Sequence, residues 1–121
     1  MAKVSSKADP ATVLVYTTWP DTASAASAGR ALVEAGLAAC VNILPGMASI
    51  YRWKGAVETA NETVMIVKTL ATRADAVTVA VARHHPYETP AIVVIPISGG
   101  SQPYLDWIGA ESAGQGAGDA G

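Results

Sequence analysis

The chain of 121 residues fits one ordinary domain, carries a formal net charge of −2 and contains a single cysteine, Cys40. This composition offers no clustered basic face for DNA or RNA, and it excludes an intrachain disulfide and a cysteine zinc cage. No stretch approaches the roughly 20 apolar residues of a membrane span, and the start of the chain lacks the apolar core of a secretory signal, so we expect a cytoplasmic protein with no nucleic-acid or membrane partner.

The folded part is expected to span residues 12–112. Residues 1–11 are predicted to be a flexible N-terminal segment, and residues 113–121 are too rich in glycine to fold, which predicts a disordered tail. Half of the chain is hydrophobic, which is more apolar material than a small monomer easily buries. This excess indicates a buried subunit interface.

The first predicted elements are a strand and a helix. Thr12 to Trp19 is apolar on both faces, the pattern of a central strand that is covered on both sides. Asp21 is placed to cap a helix from Thr22 to Gly36, because its side chain can accept a backbone N–H bond. Small residues on the inner stripe of this helix allow it to lie close to a sheet, and Gly36 is a natural stop.

A long hairpin is predicted next. A strand from Ala38 to Leu44 is interrupted by Pro45-Gly46 and resumes at Ile50 to Trp53; a proline within a strand indicates an edge or a bulge because it cannot donate to the ladder. Lys54-Gly55 fits a two-residue turn. The return arm then runs from Ala56 to Leu70.

The segment from Thr72 to His85 carries two conflicting patterns. Val77 to Val81 alternates like a strand, whereas Thr72 and Asp75 resemble a capping box and Pro86 supplies a stop. We favour a helix, since its cationic C-terminus also fits the helix dipole.

The last elements are a strand from Ala91 to Ile97, with Pro96 again indicating an edge or bulge, and a short helix from Tyr104 to Ala110. The order β-α-β-β-α-β predicts an α+β, ferredoxin-like antiparallel sheet with both helices on one face, plus the short C-terminal helix. Met65 and Val67 are then expected on the uncovered face, together with one row of the first strand. An apolar uncovered face predicts burial against copies of the same chain.

A polar cluster, His84 to Pro90, lies at the start of the last strand and holds both histidines of the chain. Polar groups on a loop held by rigid elements indicate a functional site. An alternative is that Pro86 and Pro90 only stiffen a helix-to-strand connection, with the histidines as helix-terminal cations.

The sequence allows two roles for each of several other side chains. Cys40 lies in an apolar strand and is expected to be a small core residue rather than a ligand. Lys68 lies among apolar neighbours, which predicts either a structural salt bridge or an anion-binding role. Four aromatic side chains fit either a ligand cleft between subunits or large interface anchors; they are Tyr51, Trp53, Tyr87 and Trp107. Three carboxylates are expected to be solvated charges unless they lie near His85; they are Glu58, Glu62 and Glu88.

Five motifs in this order resemble the CutA family, named for divalent-cation tolerance, over about Val13 to Ser112. They are Ala38-Ala39-Cys40-Val41-Asn42-Ile43 with Pro45-Gly46, Ser49-Ile50-Tyr51-Arg52-Trp53-Lys54-Gly55, Met65-Ile66-Val67-Lys68-Thr69, His85-Pro86-Tyr87-Glu88-Thr89-Pro90 and Tyr104-Leu105-Asp106-Trp107. The resemblance implies a compact trimer with edge strands paired between subunits, similar in design to the PII signalling proteins. It implies no established reaction and no obligatory cofactor, with Cu²⁺ or another divalent cation as the expected ligand.

The resemblance also implies a metal site at His84 and His85. Some members place a copper-binding cysteine where this chain has Thr17, so a soft Cu(I) site would lose its best ligand. Consecutive side chains diverge, so Glu62 or a neighbouring subunit must add ligands.

Three functions are therefore compatible with the sequence. The first is a trimeric, non-enzymatic protein that holds a divalent metal or small anion in clefts between subunits and has a signalling or metal-response role. Its cleft residues are expected to be Tyr51, Trp53, Lys68, Tyr87 and Glu88. The second is a small enzyme with His85 as general base, and the third is a structural module that recruits a partner protein.

Overall fold

The computed structural model describes residues 11–113; residues 1–10 of the predicted flexible segment and residues 114–121 of the predicted tail lie outside the described residues. The elements are β1 (Thr12–Trp19), α1 (Thr22–Glu34), β2 (Cys40–Trp53), β3 (Ala56–Leu70), α2 (Ala74–His84), β4 (Ile92–Pro96) and α3 (Gln102–Glu111). The four strands form one antiparallel sheet in the order β2-β3-β1-β4, the predicted ferredoxin-like α+β arrangement. The two strands that contain prolines, β2 with Pro45 and β4 with Pro96 as its last residue, are the sheet edges, one of the two predicted positions.

α1 lies against the sheet with the predicted caps. Asp21 accepts the backbone N–H of Ser24 at 2.7 Å, which satisfies one free donor of the first turn. Gly36 has φ 74° and its N–H donates to the carbonyl of Val33, while Leu37 N–H donates to Leu32, a Schellman ending.

α2 confirms the predicted helix but not its predicted capping box. Residues 71–73 form a 3₁₀ turn, so the N-cap of α2 is Arg73, which makes no side-chain cap bond. The prediction that Thr72 caps the helix was wrong because Thr72 lies inside that turn, one residue too early to reach the free N–H groups of the first α-helical turn.

The face of the sheet that the helices cover is the one with Met65 and Val67, both fully buried. Thr17 pairs with Met65 and Val15 pairs with Val67, so these rows share one face, and α1 and α2 pack on it. The prediction that Met65 and Val67 lie on the uncovered face was therefore wrong. Both rows of β3 are apolar, so the alternation could not decide which one the helices cover.

The opposite face, called here the open face, carries Leu14, Tyr16, Val64, Ile66, Val93 and Ile95. α3 covers only one end of it, where Gly109 packs near Leu70. Val93 is 51% exposed and Ile95 is 42% exposed. A contiguous apolar surface of this kind on a protein is typical of an interaction face.

β2 and β3 continue past the end of β1, whose last pair is Trp19 with Thr63. Residues 47–62, called here the arm, form a two-stranded ribbon after a register shift between Leu44 and Met47. Its turn has φ 50° at Lys54 and φ 84° at Gly55, the predicted two-residue turn. Within residues 11–113, no helix has the length and apolar character needed to cross a membrane.

Candidate functional site

A cleft of about 610 Å³ opens between the arm and the loop that follows α2. It is called here the arm cleft. Three aromatic rings and three carboxylates line it, together with small residues and with Thr18 at its inner end. The rings are those of Tyr51, Trp53 and Tyr87, and the carboxylates are those of Glu58, Glu62 and Glu88. Among its lining residues none is basic, so the cleft favours a cation.

The arm contributes its side of the cleft by strand alternation. Tyr51 pairs with Glu58 and Met47 pairs with Glu62, so these side chains share the face that continues the open face of the sheet. Glu62 is held in place by the hydroxyl of Ser49, which donates to its Oε1 at 2.8 Å. Because side chains alternate between the two faces of the ribbon, aromatic rings and carboxylates lie together on one wall of the arm cleft.

His85 fixes the loop that forms the opposite wall. The residue is 8% exposed and its ring stacks on Trp19 with centroids 4.2 Å apart. Tyr87 N–H donates to Nδ1 at 3.2 Å, and Nε2 is 2.6 Å from the carbonyl oxygen of Thr18. Nδ1 must therefore accept and Nε2 must donate, which defines the neutral Nε2–H tautomer and leaves no free ring nitrogen.

His84 has the opposite environment. It is exposed, and its Nδ1 lies 3.0 Å from the carbonyl oxygen of Ala80, one turn back along α2. Neither His84 nor His85 lines the arm cleft. Among the described residues 11–113, no three side chains of the His, Cys, Asp or Glu type come close enough to hold a metal ion.

The environment of the cleft shifts the pKa of Tyr87. Burial raises the pKa of its phenol, and the nearby negative charge of Glu62 raises the pKa further. Both effects disfavour an added negative charge at this wall. A cation bound beside Tyr87 would lower the pKa of its phenol.

Lys68, a predicted cleft residue, does not line the arm cleft. Its Nζ donates to the hydroxyl of Tyr104 at 2.9 Å and lies 5.2 Å from the centroid of that ring. The hydrogen bond with Tyr104 raises the pKa of Lys68, and burial opposes it. No carboxylate of residues 11–113 forms an ion pair with Lys68, so a tyrosine hydroxyl takes the place of the predicted salt-bridge partner.

Three further candidate residues, Thr17, Cys40 and Trp107, lie outside the lining of the arm cleft. Thr17 is fully buried; its hydroxyl donates to the carbonyl of Met65 at 2.8 Å and accepts from Trp19 Nε1 at 2.7 Å. Cys40 is half-buried and lies opposite Lys68. Trp107 does not line the arm cleft and instead stacks on Tyr104 in α3.

Two residues of the arm cleft have little signal in the sequence. Thr18 belongs to a strand that is apolar on both faces, so it reads as one more core position, and Glu58 reads as one more solvated charge. Only the pairing of β1 with β3, and the bend of the loop after α2, brings Thr18 beside the arm. A turn at Lys54-Gly55 fixes which strand residues face each other, and the alternation of side chains along the two strands then places Glu58 on the same face as Tyr51. This alternation was the one sequence feature that could have indicated Glu58 as a cleft residue.

Comparison with known proteins identifies relatives over nearly all of this fold. Residues 13–111 match the family described as CutA1 divalent ion tolerance protein. The chain is 40% identical over 98 residues to the divalent-cation tolerance protein CutA of Pectobacterium atrosepticum, covering 81% of this chain and 89% of that protein. It is 38% identical over 104 residues, or 86% of its length, to the chloroplastic protein CutA of Arabidopsis thaliana, of which it spans only 57%. The solved divalent cation tolerance protein of Thermus thermophilus superposes with a TM-score of 0.80 at 42% identity, over 84% of this chain and 98% of that one.

Proposed function

Because the chain belongs to the CutA1 divalent ion tolerance family, we propose that it is a self-associating, non-enzymatic protein that binds a divalent cation, Cu²⁺ among others, and serves in a metal response. The observation that carries this proposal is the arm cleft, in which three carboxylates and no basic residue line one cavity. A cavity of one charge sign concentrates ions of the opposite sign.

The proposed metal ligands are Glu62, which lines the arm cleft, and His84 and His85, which lie outside its lining. His84 can offer Nε2, whereas His85 can ligate only by releasing Thr18 or Tyr87. Since no three ligands converge within residues 11–113, we propose that a second copy of the chain completes the coordination. The result is a metal site that depends on assembly.

Self-association is supported by the open face and by the arm. On the arm, Ile50 is 74% exposed and Val57 is 64% exposed, on a two-stranded ribbon that β1 no longer supports. An isolated two-stranded ribbon is marginally stable in water. We propose a homotrimer in which neighbouring copies cover the open face and support the arm.

A catalytic role is disfavoured by His85, whose two ring nitrogens are both engaged. A general base needs a free nitrogen within reach of the proton it removes. The proposed function is therefore binding without chemical conversion.

Calorimetric titration with Cu²⁺ and with Zn²⁺ tests the proposal. We expect saturable binding that weakens in acid, because a ligating imidazole must be neutral. Replacing Glu62→Gln together with His84→Ala should reduce the affinity, whereas Glu34→Gln, on the exposed side of α1 and away from the cleft, should leave it unchanged. Unchanged heats in the double variant would remove the proposed site.

A further inference from the structure

The arm cleft is far larger than a bare metal ion, and among residues 11–113 no three metal-ligating side chains converge to hold one. Its volume is about 610 Å³, and aromatic rings, which are poor metal ligands, form much of its wall. We infer that the arm cleft binds an organic cation, a primary ammonium group carried on a short hydrocarbon chain. This inference rests on the proposed cation binding in the same cleft and narrows the class of ligand.

Thr18 supplies an observation independent of the acidic residues. It is 8% exposed, and its side chain projects from β1 on the open face, the same face as Val64, toward the cleft that it lines. The backbone carbonyl of Thr18 is used by His85, but its hydroxyl makes no hydrogen bond with any other residue in the range 11–113. A buried hydroxyl without a partner is costly, and an ammonium N–H would satisfy its oxygen.

The aromatic wall fits the same ligand. A ring face attracts an ammonium group through its quadrupole and also covers the hydrocarbon to which the ammonium is attached. Trp53 already shows this contact, because Lys54 Nζ lies 5.7 Å from the centroid of its ring. Tyr51 and Tyr87 extend the aromatic surface inward from Trp53 toward Thr18.

The carboxylates set the charge of the ligand. Glu58, Glu62 and Glu88 line one cleft, and none of them forms an ion pair with a basic side chain of the described part of the chain. Ammonium groups separated by a short alkyl chain can pair with carboxylates on both walls, one on the arm and one on the loop. A linear diamine is therefore the simplest probe of this class.

NMR titration of the ¹⁵N-labelled full chain with 1,4-diaminobutane tests the inference, with 1,4-butanediol as the uncharged molecule of the same length and Zn²⁺ as the bare cation. We expect the diamine to shift the Trp53 indole and Thr18 amide signals saturably, with at least about tenfold higher affinity than the diol. The Thr18→Val variant keeps the shape but loses the hydroxyl; it should bind the diamine roughly tenfold more weakly while unfolding at the same or a higher denaturant concentration.

Trp53→Ala should weaken diamine binding about threefold to tenfold, whereas Trp107→Ala, also half-exposed but outside the cleft, should not. If Zn²⁺ shifts these signals and the diamine does not, the inference is overturned and the proposed function stands. If the diamine shifts none of these signals, the inference is overturned; the proposed function is overturned with it only if calorimetry also shows no Zn²⁺ binding. Equal affinity of Thr18→Val and the unaltered chain for the diamine also overturns the inference.

Discussion

The imidazole of His85 donates from Nε2 to the carbonyl oxygen of Thr18 at 2.6 Å and so ties the loop after α2 to the end of β1. The same ring stacks on Trp19 and accepts the N–H of Tyr87. One buried side chain therefore fixes the position of a whole wall of the arm cleft. His84, its neighbour in sequence, makes only a contact with its own helix and is exposed.

The two adjacent histidines should differ in their contribution to stability. Replacing His85→Ala removes a buried, stacked ring and leaves the Thr18 carbonyl without its partner, which should lower the free energy of unfolding by about 2–4 kcal/mol. Replacing His84→Ala should change it by less than about 0.5 kcal/mol. Urea unfolding of both variants checks this, and equal losses would contradict the structural role of His85.

Gly29 is predicted to be required where α1 crosses the sheet. A Cβ at this position would lie 2.7 Å from Val41 Cγ2 and 2.9 Å from Met65 Sδ. Because the β-branched Val41 cannot swing away, Gly29→Ala should destabilise by about 1–2 kcal/mol despite the better helix propensity of alanine.

Gly109→Ala is the matched control for this close approach. Its Cβ would meet only Leu70 Cδ2 at 3.5 Å, an ordinary contact, so this helical substitution should stabilise by up to about 1 kcal/mol. Thermal unfolding of both variants gives the comparison. A stabilising effect at both positions would contradict the packing of α1.

The pKa of Lys68 should fall when its partner loses a hydroxyl. The hydrogen bond to Tyr104 is the main cause that raises this pKa above its ordinary value of 10.5. Tyr104→Phe keeps the ring but removes the acceptor, so the pKa of Lys68 measured by NMR titration should move down. A raised pKa means that the stabilisation is present below the unfolded-state pKa and is lost as pH rises through the folded-state pKa, so any stability difference should vanish in strong base. An unchanged pKa would contradict the contact.

The Asp21 cap should give a pH-dependent contribution to stability. The backbone N–H of Ser24, and then its side chain, lower the pKa of Asp21 below 3.8. A lowered pKa means that the stabilisation is present above the unfolded-state pKa and is lost as pH falls through the folded-state pKa. Asp21→Asn can still accept the cap bond but does not titrate, so the unaltered chain should be more stable near neutral pH and lose that advantage in acid. A difference that does not change with pH would contradict this assignment.

The element types could be predicted because each has a local cause. The apolar pattern on both faces of β1, the cap at Asp21 and the turn at Lys54-Gly55 are all readable within a few residues. Pro45 was also read correctly as an edge or bulge signal, but the strand continues through it, since an edge strand can lose one donor and still pair on its other side.

The parts that could not be predicted depend on contacts between distant segments. Val64 and Ile66 are as apolar as Met65 and Val67, so only packing of α1 and α2 decides which row is covered. The candidate site also depends on contacts between distant segments. His84 and His85 are chemically identical in sequence, and only the approach of β1 gives His85 its partner Thr18.

The proposed function requires copies of this chain to cover the open face and support the arm. Sedimentation equilibrium in dilute neutral buffer tests it most directly, with circular dichroism on the same samples to show that the chain is folded. We predict a folded species of three times the chain mass of 12.3 kDa. A folded species of the single-chain mass would contradict it, because Val93 and Ile95 would then face water and the metal site would lack its second copy.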